Sequence, residues 1–311
     1  ISSNGSRVAI GAIQNDGNGS ESGHVRVYQW SGSAWTKLGA DIDGEAVGDR
    51  SGSSVSLSSD GSILAVGAHS NNGPPGNQGN FGHVRIYQWN GSSWAQLGGD
   101  IDGDGCCSAG KSVSLSSDGY SVAVGSTNYV RIFKLVNNSW TKQGSNISGE
   151  TPYDNFGISV SLSSDGSRVA IGGYTNGGGG MNSGHVRVYD FNGSTWVQAG
   201  ADIDGEAAGD QIREISLSSD GSRVAIGGKY NDGANGADSG HVRVYSISSG
   251  ESYQYAWDVD SGSTPPSGTY YATVSGTTVA TGGAYSGTDS ITFSLDTACL
   301  LYTSPSPRDQ R

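Results

Sequence analysis

An all-β fold of repeated four-stranded antiparallel sheets is predicted by three observations. One phrase recurs along the chain at near-constant spacing, the apolar residues alternate with period two, and Asp-Gly or Asn-Gly pairs separate the alternating runs. The fullest copy occupies 160–210: it opens on VSLSSDGSRVAIGG, crosses a Gly/Asn loop and closes on GHVRVYDFNGSTWVQAGADIDGEAAGD. The turn glycine falls at Gly5, Gly61, Gly119, Gly166 and Gly221, so successive copies lie 56, 58, 47 and 55 residues apart. Repeats of that length mark stacked or radial arrays.

Each copy reads as two hairpins. In the second, Val55 to Ser58 and Ile63 to Ala68 flank a Ser-Asp-Gly-Ser turn in which Gly61 supplies the positive φ of a tight hairpin. The next strand runs from His83 to Trp89, turns through Asn90-Gly91, and returns from Trp94 to about Ile101. Asn-Gly between alternating strands is the strongest short-range hairpin signal. No segment carries a helical apolar stripe.

Such a sheet has apolar residues on both faces, so one copy alone cannot bury them. Repeated around an axis, each copy covers the next, which makes a β-propeller of four-stranded antiparallel blades the expected architecture. In Val8-Ala9-Ile10-Gly11 the bulky pair points one way and the small pair the other, so a bulky face can press on a small one. Each buried Val, Ile, Leu or Tyr contributes roughly 1.5–3 kcal/mol, which offsets the ordering of Gly-rich loops.

Five copies are visible, at about 1–53, 54–111, 112–158, 159–212 and 213–250, and together they form the expected propeller region 1–250. The first copy starts in mid-repeat at Ile1, so the chain is expected to be a fragment of a larger propeller. Beyond Glu251 the pattern decays: Tyr253 to Trp257 stands where the fourth strand belongs, and Pro265-Pro266 marks a boundary. Residues 251–299 read as a degenerate blade or as part of an immunoglobulin-like β segment. Residues 300–311, LLYTSPSPRDQR, read as a non-native tail resembling translated sequencing adapter.

Composition narrows the function. Of 311 residues, 34% are hydrophobic and 52 are glycine, while 17 Lys and Arg face 29 Asp and Glu for a net charge of −12. That acidity disfavours nucleic acid and anionic membrane as partners. No run approaches the roughly 18 apolar residues of a spanning helix, so no membrane insertion is expected. Cys106, Cys107 and Cys299 make neither a disulfide framework nor a zinc spacing.

Asn155-Phe156-Gly157 followed by SVSLSSDGSRVAIGG from Ser159 to Gly173 resembles the FG-GAP repeats of integrin-type propellers and related bacterial surface proteins. The resemblance covers all five copies. It implies a propeller, seven blades in the parent protein, an extracellular or cell-surface location, and a role in adhesion or ligand recognition. The family's calcium loop between the first two strands is shortened here to Ser-Ser-Asp-Gly-Ser, where a lone Asp60 or Asp165 cannot supply the roughly six to eight oxygens calcium takes. WD-repeat propellers are similar too, but the Trp-Asp pair is missing and most periods exceed their roughly 40–45 residues.

The most suggestive chemical motif is Asp-Ile-Asp-Gly-Glu. It places carboxylates at Asp41, Asp43 and Glu45, at Asp202, Asp204 and Glu206, and, in variant form, at Asp100, Asp102 and Asp104. Alternating carboxylates around a glycine turn are calcium candidates. The competing reading is a solvated connecting turn with Ile42, Ile101 and Ile203 buried as plugs, which the absence of an EF-hand frame favours. No other cofactor is expected.

His24, His83, His185 and His241 occupy one repeat position and read as structural strand residues. Arg26, Arg85, Arg131, Arg187 and Arg243 occupy another, where pairing with acidic neighbours between blades competes with an anion-binding ring. Trp35, Trp94, Trp140 and Trp196 open the fourth strand, where packing on the adjacent blade competes with sugar stacking. A catalytic constellation should break the repeat. The residues that do, Cys106, Cys107, Tyr153, Glu214 and Glu251, form no nucleophile with base and orienter.

The reading is therefore a non-catalytic extracellular or cell-surface scaffold. It would bind a protein or glycan ligand through the loops 13–23, 69–82, 174–184 and 229–240, which vary while the strands repeat. The alternatives are a purely structural spacer in a long surface protein, a glycan-cleaving propeller enzyme, and a WD-repeat-like interaction scaffold.

Overall fold

The computed structural model describes residues 1–73, 79–105, 107–232 and 236–247, together with the backbone of three later strands. Five blades follow one another. The first holds β1 (Arg7–Ala12), β2 (His24–Trp30), β3 (Trp35–Lys37) and β4 (Ile42–Asp43), the counterparts of the later blades' second, third and fourth strands. The second holds β5 (Ser54–Leu57), β6 (Ile63–Ala68), β7 (His83–Trp89), β8 (Trp94–Gln96) and β9 (Ile101–Asp102). The third holds β10 (Ser112–Leu115), β11 (Ser121–Gly125), β12 (Tyr129–Val136), β13 (Ser139–Lys142) and β14 (Ile147–Ser148). The fourth holds β15 (Ser159–Leu162), β16 (Arg168–Gly173), β17 (His185–Phe191), β18 (Trp196–Gln198) and β19 (Ile203–Asp204). The fifth holds β20 (Ile212–Leu217), β21 (Arg223–Gly228), β22 (His241–Ser246) and β23 (Gln254–Asp258), the last in the fourth-strand position. A separate hairpin pairs β24 (Tyr271–Val274) with β25 (Thr277–Thr281). Apart from these backbones, the readings of 251–299 and of the 300–311 tail lie outside the described residues.

The expected continuous fourth strand is in fact broken. In the second blade β8 pairs with the end of β7 and β9 with its start, and Leu97 between them donates its N–H to Ile86 at 2.8 Å. The break frees the Leu97 carbonyl to accept, at 2.8 Å, the indole N–H of Trp140 from the following blade. A straight strand would have spent that carbonyl within its own sheet.

Adjacent blades bury the apolar faces. Ala65, Val84, Ile86 and Ile101 of the second blade pack against Val113, Leu115, Val122 and Val124 of the third, so the small Ala65 face receives the bulky pair, as the alternation predicts. The same arrangement recurs at the next interface with Ala123, Val130 and Ile132 against Val169 and Ile171. Ile42, Ile101 and Ile203 are buried plugs.

The first strands of the blades run next to one another along the axis. Hydroxyls stitch them: Ser56 accepts the Leu115 N–H, Ser114 that of Leu162 and Ser161 that of Leu217, at 2.9–3.0 Å. At one end, backbone hydrogen bonds of 2.8–2.9 Å run from Ser3 to Ser59, Ser59 to Ser117, Ser117 to Ser164 and Ser164 to Ser219. Glycine permits the close approach. A Cβ on Gly125 would collide with the Gly157 carbonyl of the next blade.

Candidate functional site

The third strand of each blade carries an arginine at the blade edge, and in the second and fourth blades acidic connecting turns converge on it from both sides. In the first blade the Arg26 guanidinium takes both oxygens of Asp41 at 2.9–3.0 Å, and Lys37 adds a third contact at 2.6 Å. In the second blade Arg85 takes both oxygens of Asp100 at 2.9 Å and also pairs with Glu45, which the first blade supplies. In the fourth, Arg187 holds Asp202 and, from the third blade, Glu150. In the fifth, Arg243 pairs with Glu206 of the fourth. The fork of a guanidinium matches a carboxylate edge, so Arg85 and Arg187 each clamp two carboxylates from different copies.

The three carboxylates of one turn therefore do not meet around a common point. The first serves the arginine of its own blade and the third serves that of the next. The middle ones are placed differently: Asp43, Asp102 and Asp204 stand opposite His24, His83 and His185 in register, and Asp43 and Asp204 abut the loop glycines Gly17 and Gly178. What the fold brings together instead is the third acid of one copy with the first acid and the histidine of the following copy. Glu45, His83 and Asp100 offer ligand atoms within 4.8 Å of one another, and so do Glu150, His185 and Asp202.

Reading the turns as self-contained motifs misses Glu150, His83 and His185. Their signal was present in the repeat: Ser148-Gly149-Glu150 stands where Asp43-Gly44-Glu45 stands in the first copy, and the histidines recur at one position.

The electrostatics follow the geometry. Burial pushes the Asp202 carboxyl up, but its bonds to Arg187 and Gln198 outweigh this and hold it below the ordinary carboxylate range. Asp100 behaves alike through Arg85 and Gln96. Burial, together with the negative charges of Asp202 and Glu150, raises Asp204. His83 and His185 are shifted below the ordinary imidazole value, first by burial and then by the positive charges of Arg85 and Arg187. His185 is 0% exposed.

The third blade departs from the scheme. Tyr129 replaces the histidine and Asn146 the first aspartate. Tyr129 donates its hydroxyl to Asp104 of the second blade, while Arg131 donates to the Asp102 carbonyl at 2.7 Å.

Three of the four tryptophans that open the fourth strand are interblade clamps: the indoles of Trp94, Trp140 and Trp196 donate to Leu38, Leu97 and Gln143 of the preceding blades at 2.8–2.9 Å, while Trp35 is exposed beside Trp30 of its own blade. The repeat-breaking residues lie apart, Cys107 and Tyr153 in different connecting loops and Glu214 on β20. Cys107 is disulfide-bonded, while Cys106, Cys299 and Glu251 lie outside the described residues.

No family model matches the chain, and no curated protein matches it. Solved structures do. A functionally unknown protein from Desulfotomaculum acetoxidans is 14% identical, with 80% of this chain and 64% of that chain covered at a TM-score of 0.51. The complex of KlAtg21 with the coiled-coil of AgAtg16 gives 15% identity, 75% and 64% coverage and a TM-score of 0.51. TolB from Acinetobacter baumannii gives 14%, 78% and 50%, and 0.47. The chain spans less than two thirds of the length of each. At these identities the likeness is one of fold: the chain is an all-β propeller of repeated four-stranded antiparallel blades.

Proposed function

We propose that the chain is a non-catalytic recognition scaffold that binds a protein or glycan partner through one end of its blades, outside the cell or at its surface. One observation carries the reading. Tyr153 and Met181 are 83% and 79% exposed, and with Ile13, Val47 and Tyr230 they sit in the loops that join second to third strands or one blade to the next. Those loops share one end of the blades, and exposed aromatic and aliphatic groups on loops held by a rigid frame are typical of a contact surface. The resemblance of the repeats to FG-GAP arrays supports the extracellular setting. The separation of Cys107, Tyr153 and Glu214 over two different loops and a strand supports a non-catalytic role, because catalysis needs convergence.

A protein and glycan array probed with the chain and with a Tyr153→Ser/Met181→Ser variant tests this. The expected result is binding that the variant loses while its unfolding transition is unchanged. Absence of any ligand with intact folding would favour the spacer, and hydrolysis of a polysaccharide would favour the enzyme. Protease shaving of intact source cells checks the location.

A further inference from the structure

We infer that Glu150, His185 and Asp202 form a binding site for a divalent transition-metal ion of the zinc class in the seam between the third and fourth blades, with a second copy at Glu45, His83 and Asp100. Three observations support it.

The ligand atoms of each set lie within 4.8 Å of one another, and in the second copy the His83 Nδ1 is 3.7 Å from a Glu45 oxygen. Tetrahedral ligands at about 2.0–2.2 Å from zinc stand roughly 3.3 Å apart, so small side-chain movements close the set. An imidazole beside two carboxylates is a donor set for zinc-like ions, whereas calcium takes oxygens alone.

His185 is fully buried, and neither ring nitrogen has a hydrogen-bond partner among the described residues. A buried imidazole left so is costly, since polar groups taken from water are almost always paired. Its neutral state is the one that ligates a metal.

The chain also contains its own comparison. In the third blade the histidine and the first aspartate are replaced together, by Tyr129 and Asn146, while the arginine and the acid of the preceding blade, Arg131 and Asp104, remain. If the first aspartate served only to clamp the arginine, it would be needed there as well. Tyr129 instead fills the seam and satisfies itself on Asp104.

Arg187 is the resident counter-charge, bonded to one Glu150 oxygen and both Asp202 oxygens, and Asn176 holds the other Glu150 oxygen at 2.7 Å. An entering cation must displace one arm of the guanidinium. Affinity is therefore set by competition between Arg187 and the metal.

Calorimetric titration of the whole chain with Zn²⁺, and Co²⁺ titration followed by visible absorption, test the inference. Replacing His185 and Asp202 by the third blade's own residues, His185→Tyr with Asp202→Asn, should remove one Zn²⁺ equivalent and the matching Co²⁺ band without loss of folding. His83→Tyr with Asp100→Asn should remove a second. Arg187→Gln should tighten the first site at least tenfold. Zn²⁺ binding that both double variants leave unchanged, or no binding to the parent chain and to Arg187→Gln, overturns the proposal.

Discussion

The indole Nε1 of Trp94 donates to the backbone carbonyl of Leu38, 2.9 Å away in the preceding blade. Trp140 and Trp196 repeat the contact on Leu97 and Gln143, so the blade stack is held by directional bonds at its rim as well as by apolar burial within. Trp140→Phe keeps most of the packing and leaves the Leu97 carbonyl without its donor; it should cost about 1 kcal/mol in urea unfolding. Trp140→Ala removes the packing too and should cost about 3 kcal/mol. Equal costs for the two would show that the bond, and not the ring, carries the contact.

Gly125 has no room for a side chain. A Cβ there meets the Gly157 carbonyl and the Ser112 hydroxyl, whereas one on Gly99 meets nothing within 4 Å. Gly125→Ala should destabilise by about 1–3 kcal/mol through overpacking of backbone on backbone. Gly99→Ala should be neutral or slightly stabilising. Thermal melts of the two variants side by side decide it.

The axial serines are acceptors for the neighbouring blade. Ser114→Ala leaves the Leu162 N–H without its partner and should lower stability by about 1 kcal/mol, with Ser56→Ala and Ser161→Ala alike. Ser114→Thr keeps the oxygen and tests whether the hydroxyl is the cause. A melting temperature unchanged in all three alanine variants would remove these bonds from the account.

Acid should loosen the structure. Burial, reinforced by the charges of Lys111 and Arg50, lowers His69 to about 4, and His83 and His185 shift in the same direction. Unfolded histidine titrates at about 6.5. Below that pH the unfolded chain binds protons that the folded chain refuses, so this stability is complete above pH about 6.5 and declines as the pH falls toward the folded values. The paired Asp100 and Asp202 extend the loss to lower pH, and the raised Asp204 opposes it weakly. His69→Gln should flatten the melting-temperature profile between pH 6.5 and about 4.5. A profile as steep as that of the parent chain would place the acid sensitivity elsewhere.

The strands, the turns and the burial of Ile42, Ile101 and Ile203 were readable in the amino-acid sequence. Each depends on residues a few positions apart: alternation on one strand, or a glycine with positive φ such as Gly61 in a tight turn. The periodic spacing extended this to the architecture, since a sheet with two apolar faces must be covered by its own copies. The partners of Asp41 and Glu45 could not be read in that way. Written two residues either side of Asp43, they look like one site, yet the tertiary structure sends Asp41 to Arg26 and Glu45 to Arg85. That partition depends on how each blade is offset from the one before it. Such an offset is set by packing between residues far apart in the chain, such as Gly11 against Gly52 and Ala65 against Val122, and no local pattern encodes it.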